Sequence, residues 1–321
     1  MATCAVWPPT KSFDPLSMLR DIALARVVTR CARIRYTLRE LLARKGESYG
    51  ARPLLSALVA AGLLHFSAIA HAEPEDANQD DYINADRPGI ADGSNVVGTG
   101  RFQIETGIQR EHHRNSSSHD VTTFIPTLLR LGITSNFEAR LESNTYTWMK
   151  LHDPDQGRNR FTGFAPASLG LKYQFIEAEG AERPSVGAIL RVFPPLGSGR
   201  FRTTQTTGDF RLAADWDFAP KWSLNPNIGV AAYQEEPNSP RYMAGLFAST
   251  LSYNPTKNFN VFIDMGVRTP ESNRGKASFI FDIGMAYIIG KNTQLDVSIG
   301  TGATGETSPR PFIAAGISHR F

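Results

Sequence analysis

Cysteine is almost absent from this chain of 321 residues: there are two, Cys4 and Cys31. The 249 residues from Glu73 to Phe321 hold none, which excludes a disulfide scaffold and thiol chemistry from that part. Long hydrophobic runs are equally scarce. Outside residues 53–72 no stretch approaches the roughly 18 apolar residues of a membrane helix. If the body of the chain lies in a membrane, it must be a closed barrel, in which strands satisfy one another's backbone groups. Catalytic motifs are missing too. There is no Gly-x-Ser-x-Gly elbow. GTGATGET (Gly300–Thr307) imitates a phosphate loop but has Glu306 where the lysine must stand, with no helix behind it. No cofactor is expected.

The one long apolar run is PLLSALVAAGLLHFSAIAHAEPED, starting at Pro53. Arg52 precedes it, its apolar body is Leu54 to Ile69, and it closes on Ala70-His71-Ala72 before acidic Glu73-Pro74-Glu75-Asp76. A basic flank, a core short for a bilayer span and small residues two apart are what signal peptidase reads. Residues 51–72 are therefore an expected signal peptide, cut between Ala72 and Glu73. Residues 1–50 form a basic extension, and a gene start set too far upstream is its simplest explanation.

Removal of the signal changes the charge reading. The whole chain has 34 Lys plus Arg against 31 Asp plus Glu and a pI near 8.9, but residues 1–72 hold 10 of the cations and 4 of the acids. That leaves 24 against 27, so no nucleic-acid partner follows from the basic pI.

From residue 100 onward the text alternates with period two, as in FQIETGIQ (Phe102–Gln109) and FNVFIDMGV (Phe259–Val267). In the second segment Phe259, Val261, Ile263, Met265 and Val267 make one face and Asn260, Phe262, Asp264 and Gly266 the other. Twelve such segments can be counted between 100 and 321. Tight connections, such as Pro220-Lys221 and Gly290-Lys291-Asn292, take turns with long polar ones near 111–118, 150–164, 194–206, 234–240, 269–276 and 302–309. That alternation predicts an all-β, transmembrane antiparallel up-and-down β-barrel of about 12 strands, with both ends on the short-turn, periplasmic side. Aromatics gather at both sets of strand ends. Trp216, Phe218, Trp222, Tyr253 and Tyr287 stand on the short-turn side, and Trp148, Phe164, Tyr233, Tyr242 and Phe312 on the other. The chain stops on GISHRF, whose terminal Phe321 and alternating row His319, Ile317, Ala315 and Ile313 resemble the C-terminal signal that such proteins present to the barrel insertion machinery. A soluble β-sandwich shares the alternation but predicts neither the signal nor the belts.

The segment INADRPGIADGSNVVGTGRFQIETGIQ (Ile83–Gln109) contains Asp86-Arg87-Pro88, a turn at Gly100 and the strand Phe102-Gln103-Ile104-Glu105-Thr106-Gly107. It resembles the meta-pathway phenol-degradation, or transporter, family of outer-membrane β-barrel proteins. The resemblance implies residence in the bacterial outer membrane and transport of small, hydrophobic or aromatic solutes.

Strand parity sends Glu105, Arg130, Glu138, Arg140, Glu142, Lys172, Arg191, Arg211, Asp215, Asp264, Arg268, Asp282 and Asp296 inward, because a charge facing lipid costs kcal/mol. Both signs are present, so they fit a polar permeation path lined by these residues or a network of ion pairs filling a narrow barrel. Residues 73–99, with Asp86, Arg87 and Pro88, are too polar to span. They would fold into the lumen as a plug, Arg87 pairing with an inner acid, or hang in the periplasm. His112, His113 and His119 flank a Ser-rich loop and read as solvated rather than metal-binding. Loop cations Arg158, Arg160, Arg200, Arg202, Arg274 and Lys276 suit lipopolysaccharide phosphates, although Asp153, Asp155 and Glu271 stand nearby. The function expected is a porin-like outer-membrane channel. The alternatives are a structural or adhesive barrel without flux, or a lipid hydrolase, for which His119 is the nearest candidate.

Overall fold

The computed structural model describes residues 81–114, 119–154, 157–234, 239–305 and 308–321. The basic extension, the signal peptide with its Ala72–Glu73 junction, residues 73–80, Ser116 to Ser118, Asp155 and Glu306 lie outside the described residues.

The strand segments are β1 (Phe102–Arg114), β2 (His119–Phe124), β3 (Thr127–Gly132), β4 (Phe137–Ser143), β5 (Tyr146–Asp153), β6 (Gly157–Phe164), β7 (Ala167–Ile176) and β8 (Ser185–Phe193). They continue as β9 (Thr207–Ala219), β10 (Trp222–Tyr233), β11 (Tyr242–Thr256), β12 (Phe259–Thr269), β13 (Ser278–Ile289), β14 (Thr293–Thr304) and β15 (Phe312–Arg320). All belong to one antiparallel sheet, and pairing of β15 with β1 closes it, Gln103 opposite Arg320 and Glu111 opposite Phe312. Three strands are each broken once, between β2 and β3, β4 and β5, and β6 and β7, so the fifteen segments make a closed barrel of twelve strands. No helix among the described residues is long and apolar enough to cross a membrane.

The three breaks are adjacent and share a cause. Pro126 and Pro166 have no N–H to give the ladder, and between them Thr145 takes a positive φ of 30°. Side-chain hydroxyls take over the pairing: Thr145 donates to the carbonyl of Ile125 at 2.7 Å and Ser143 to that of Pro166 at 3.0 Å. The extra residue in the β4–β5 strand reverses its parity. Glu138 and Arg140 point inward on β4, whereas Thr147 points inward on β5 and Trp148 out.

The outer face is apolar and exposed, with Ile108, Ile228, Ile263 and Ile299 between 54 and 63 % accessible, and the inner face is polar and buried. In water that exterior would be anomalous; in a bilayer it is solvated by lipid. Ile228→Arg, in the middle of β10, is therefore expected to destabilise the barrel by about 2–4 kcal/mol in lipid vesicles. Ile228→Leu at the same position serves as the conservative control, and equal urea midpoints for the two variants would contradict the lipid-facing assignment.

Two strand-level expectations need correction. Within the stretches read as long loops at 111–118 and 150–164, residues 111–114, 150–153 and 157–164 are strand, because β1 runs to Arg114 and β5 and β6 form a hairpin, Lys150 opposite Arg160 and Asp153 opposite Gly157. Their alternation persists but is polar on both faces, so it carries no apolar signal. The histidines accordingly lie on strands rather than in a loop. Phe312, assigned to the outer belt, instead faces inward and is 5 % exposed, lying over Gly300, its cross-strand partner, where a Cβ would collide with the ring.

Candidate functional site

Residues 81–100 run through the lumen as irregular chain, and the inward charges of the wall are their partners. At the short-turn end the guanidinium of Arg320 donates to Asp81 at 2.8 Å, and the N–H of Ile83 to the carbonyl of Lys291 at 2.7 Å. Deeper in, Asp86 meets three cations from three neighbouring strands: Arg140 at 2.7 Å, Lys172 at 3.2 Å and Arg130 at 3.7 Å. Arg87 turns to the neighbouring wall, where its guanidinium pairs with Asp296 of β14 at 3.0 Å while its backbone N–H donates to Glu105 of β1 at 2.9 Å. Asp92 turns back to Arg211 at 3.0 Å, Arg140 at 3.1 Å and Arg191 at 3.8 Å. Ser94 donates to Asp215 at 2.6 Å, and the N–H of Val97 to Glu138 at 3.0 Å.

A second layer of pairs orients the first. Arg130, 1 % exposed, forks onto Glu138 at 2.9 and 3.1 Å and reaches Glu105 at 3.1 Å and the carbonyl of Asn95 at 2.7 Å. Arg191 holds Asp209 at 3.0 Å and Glu142 at 2.9 Å. A planar guanidinium with five fixed donors suits such multiple contacts better than an ammonium. Burial would raise the Asp86 carboxyl, yet Arg130, Lys172 and Arg140, with the N–H of Gly93, outweigh it and hold the group far below its ordinary range. Asp92 is lowered to about 2, burial again opposing and Arg191, Arg140 and Arg211 prevailing.

The other inward candidates stand further out along the path. Asp264 accepts the N–H of Ile90, and Asp282 is its cross-strand neighbour, both buried. Arg268 lies 5.6 Å from the ring centre of Tyr233 and lines a cavity of about 290 Å³ with Ile90, Arg211, Tyr233 and Ile280 on the long-loop side. On the short-turn side a cavity of about 490 Å³ is lined by Tyr82, Asn254, Asn260, Phe262 and Ile288. The segment from Asn84 to Asn95 lies between the two. The histidines are elsewhere: the rings of His112 and His119 are 5.9 Å apart, and His113 is 3.0 Å from Glu111. Among the described residues no group of three potential ligands gathers for a metal.

A family model described as "Putative MetA-pathway of phenol degradation" matches residues 85–321, from the Asp86-Arg87-Pro88 segment to the last residue. The chain belongs to this family. Among solved structures, this family member is similar to an outer-membrane channel from Pseudomonas putida F1, with a TM-score of 0.54 and 12 % identity over 77 % of this chain and 100 % of that one. It also matches the β domain of the Bordetella autotransporter BrkA (TM-score 0.45, 13 % identity, 68 % of this chain and 98 % of that). A third match is the CymD monoaromatic hydrocarbon channel (TM-score 0.40, 9 % identity, 70 % and 88 %). The first of these likenesses shows the outer-membrane barrel fold. Curated protein sequences give no match.

The sequence reading of this family member missed Asp92, Ser94, Asp209, Asn225 and Asn227. Asp209 shares the parity of Arg211, so strand logic was enough to find it; Asp92 and Ser94 lie in irregular chain, where no periodicity assigns a face. It also missed the facing pair Gly107 and Gly316, which leave the space that the Arg87 side chain occupies.

Proposed function

We propose that this protein is a channel for small hydrophobic or aromatic molecules in the bacterial outer membrane, exported as Glu73–Phe321 and closed at rest by residues 81–100 acting as a plug. The observation that carries the reading is the lumen network itself: the wall charges converge on Asp86, Arg87 and Asp92 of an irregular segment, with cavities on either side. A barrel meant only as a rigid support would satisfy its inner charges between strands, without committing them to a non-strand segment.

The wall also has a weak side. β6 pairs with β5 alone, and its other edge meets the β8–β9 connection through Phe164 and Ser198, each N–H donating to an oxygen of the other, at 2.8 and 2.9 Å. Among the described residues that edge rests on two hydrogen bonds where a continuous ladder would supply many, so it is expected to open more readily than the rest of the wall. The closing contact of Phe321, its N–H on the carbonyl of Phe102 at 2.8 Å, fits the role of the terminal residue in assembly by the insertion machinery.

Single-channel recording in planar bilayers tests the reading. The mature protein is expected to be silent, and the same protein lacking residues 73–99 to show steady conductance. A silent deletion variant that is folded and inserted would remove the plug assignment.

A further inference from the structure

On the four adjacent segments β1, β2, β5 and β6, beyond the tight aromatic cluster of Tyr146, Trp148 and Phe164 (ring centres 4.8 and 5.2 Å apart), charge is sorted by face. Register puts Arg110, Arg114, Lys150, Arg158 and Arg160 on the outward face, continuing the parity of exposed Ile108, Trp148 and Phe164, and all five are exposed. His112, His119 and His152 share that face. The acids of these segments, Glu111, Asp120 and Asp153, have the opposite parity and point inward.

Two of the cations stand directly against one another, Lys150 opposite Arg160, while Arg158 faces His152 and Arg114 faces His119. Like charges facing across a ladder destabilise it, and among the described residues none of the five is in an ion pair. An anion seated between Lys150 and Arg160 would supply the missing charge. The row begins two residues beyond Trp148, about 7 Å further along the strand at the usual rise, which is where headgroups lie above an aromatic belt.

We propose that this face binds the phosphate groups of lipopolysaccharide, the phosphorylated glycolipid of the outer leaflet. The proposal rests on the outer-membrane reading above. Asp155, between β5 and β6, lies outside the described residues, and the charges that carry the proposal are on the strands.

The test is binding of phosphorylated lipid A to the full mature protein in phosphate-free lipid nanodiscs, compared with the triple variant Lys150→Gln, Arg158→Gln, Arg160→Gln. The control Arg241→Gln, Arg310→Gln removes exposed cations elsewhere on the long-loop side. Wild type and control are expected to bind alike, the triple variant at least tenfold more weakly, and dephosphorylated lipid A as weakly as the variant. Equal binding by the triple variant, equal binding of dephosphorylated lipid A, or displacement by millimolar inorganic phosphate each overturns it. Heat-modified gel mobility confirms that every variant is folded. A folded protein that does not enter a bilayer would refute the outer-membrane reading, whereas insertion without lipid A binding overturns this proposal alone.

Discussion

Asp86→Ala is expected to turn a silent barrel into a conducting one. Its carboxylate is the shared counter-charge of Arg140, Lys172 and Arg130. Arg140 keeps Asp92, and Arg130 keeps Glu105 and Glu138, but Lys172 is left with Glu138 at 3.9 Å. Removing one partner from a buried pair costs about 3–5 kcal/mol. The lumen has a way to recover that energy: if the segment leaves, water enters and solvates the wall. Conductance steps are therefore expected in planar bilayers, together with new cleavage between Ala91 and Asp92 by an Asp-specific endoproteinase, Asp92 being buried in the wild type. A variant as silent and as protease-resistant as the wild type would show that Asp86 does not hold the segment. Acid is not expected to reproduce the effect. A depressed carboxylate contributes stability that is fully present above its unfolded value of 3.8 and is lost only as pH falls towards the folded one. The wild type should accordingly remain closed from pH 8 to pH 5.

Arg130→Ala is expected to be the most destabilising single change in the wall. Arg130 joins Glu138, Glu105 and the carbonyls of Asn84 and Asn95, so it fastens β3 to β4, β1 and the lumen segment at once. Its loss leaves two carboxylates facing each other with no guanidinium between them. The expected cost is about 3–5 kcal/mol in urea unfolding from lipid vesicles. Exposed Arg200→Ala should stay within about 0.5 kcal/mol. Adding Glu138→Ala to Arg130→Ala should recover part of the loss, since the second change removes an orphaned charge, and the double-mutant cycle measures how much. A cost below 1 kcal/mol for Arg130→Ala would mean that water already screens this part of the lumen.

Legibility differed by element. In FNVFIDMGV the sequence parity of Ile263 and Asp264 coincides with the observed faces, 59 % and 1 % exposed, because an apolar outer row and a polar inner row leave one register that does not put charge into lipid. The β5–β6 hairpin was not legible in the same way. Once a strand leaves the bilayer both faces meet water, and Lys150, His152, Arg158 and Arg160 then look like a polar loop. The site shows the same divide. Arg130, Glu138, Arg140 and Lys172 follow from parity alone, whereas Asp92 and Ser94 do not.

The sequence by itself determined the class of this protein: twelve alternating strands with short and long connections, and an Asp-Arg-Pro segment ahead of the first. Those features are local, and the bilayer imposes the same two-residue period on every strand that crosses it. Only the tertiary structure decided what the inner charges face. Which cations share Asp86 depends on β3, β4 and β7 becoming neighbours, and which acid receives Arg87 depends on closure of β15 onto β1 and on the two glycines that make room there. Electrostatic partnership is a matter of distances between residues up to 239 positions apart, and no local pattern encodes it.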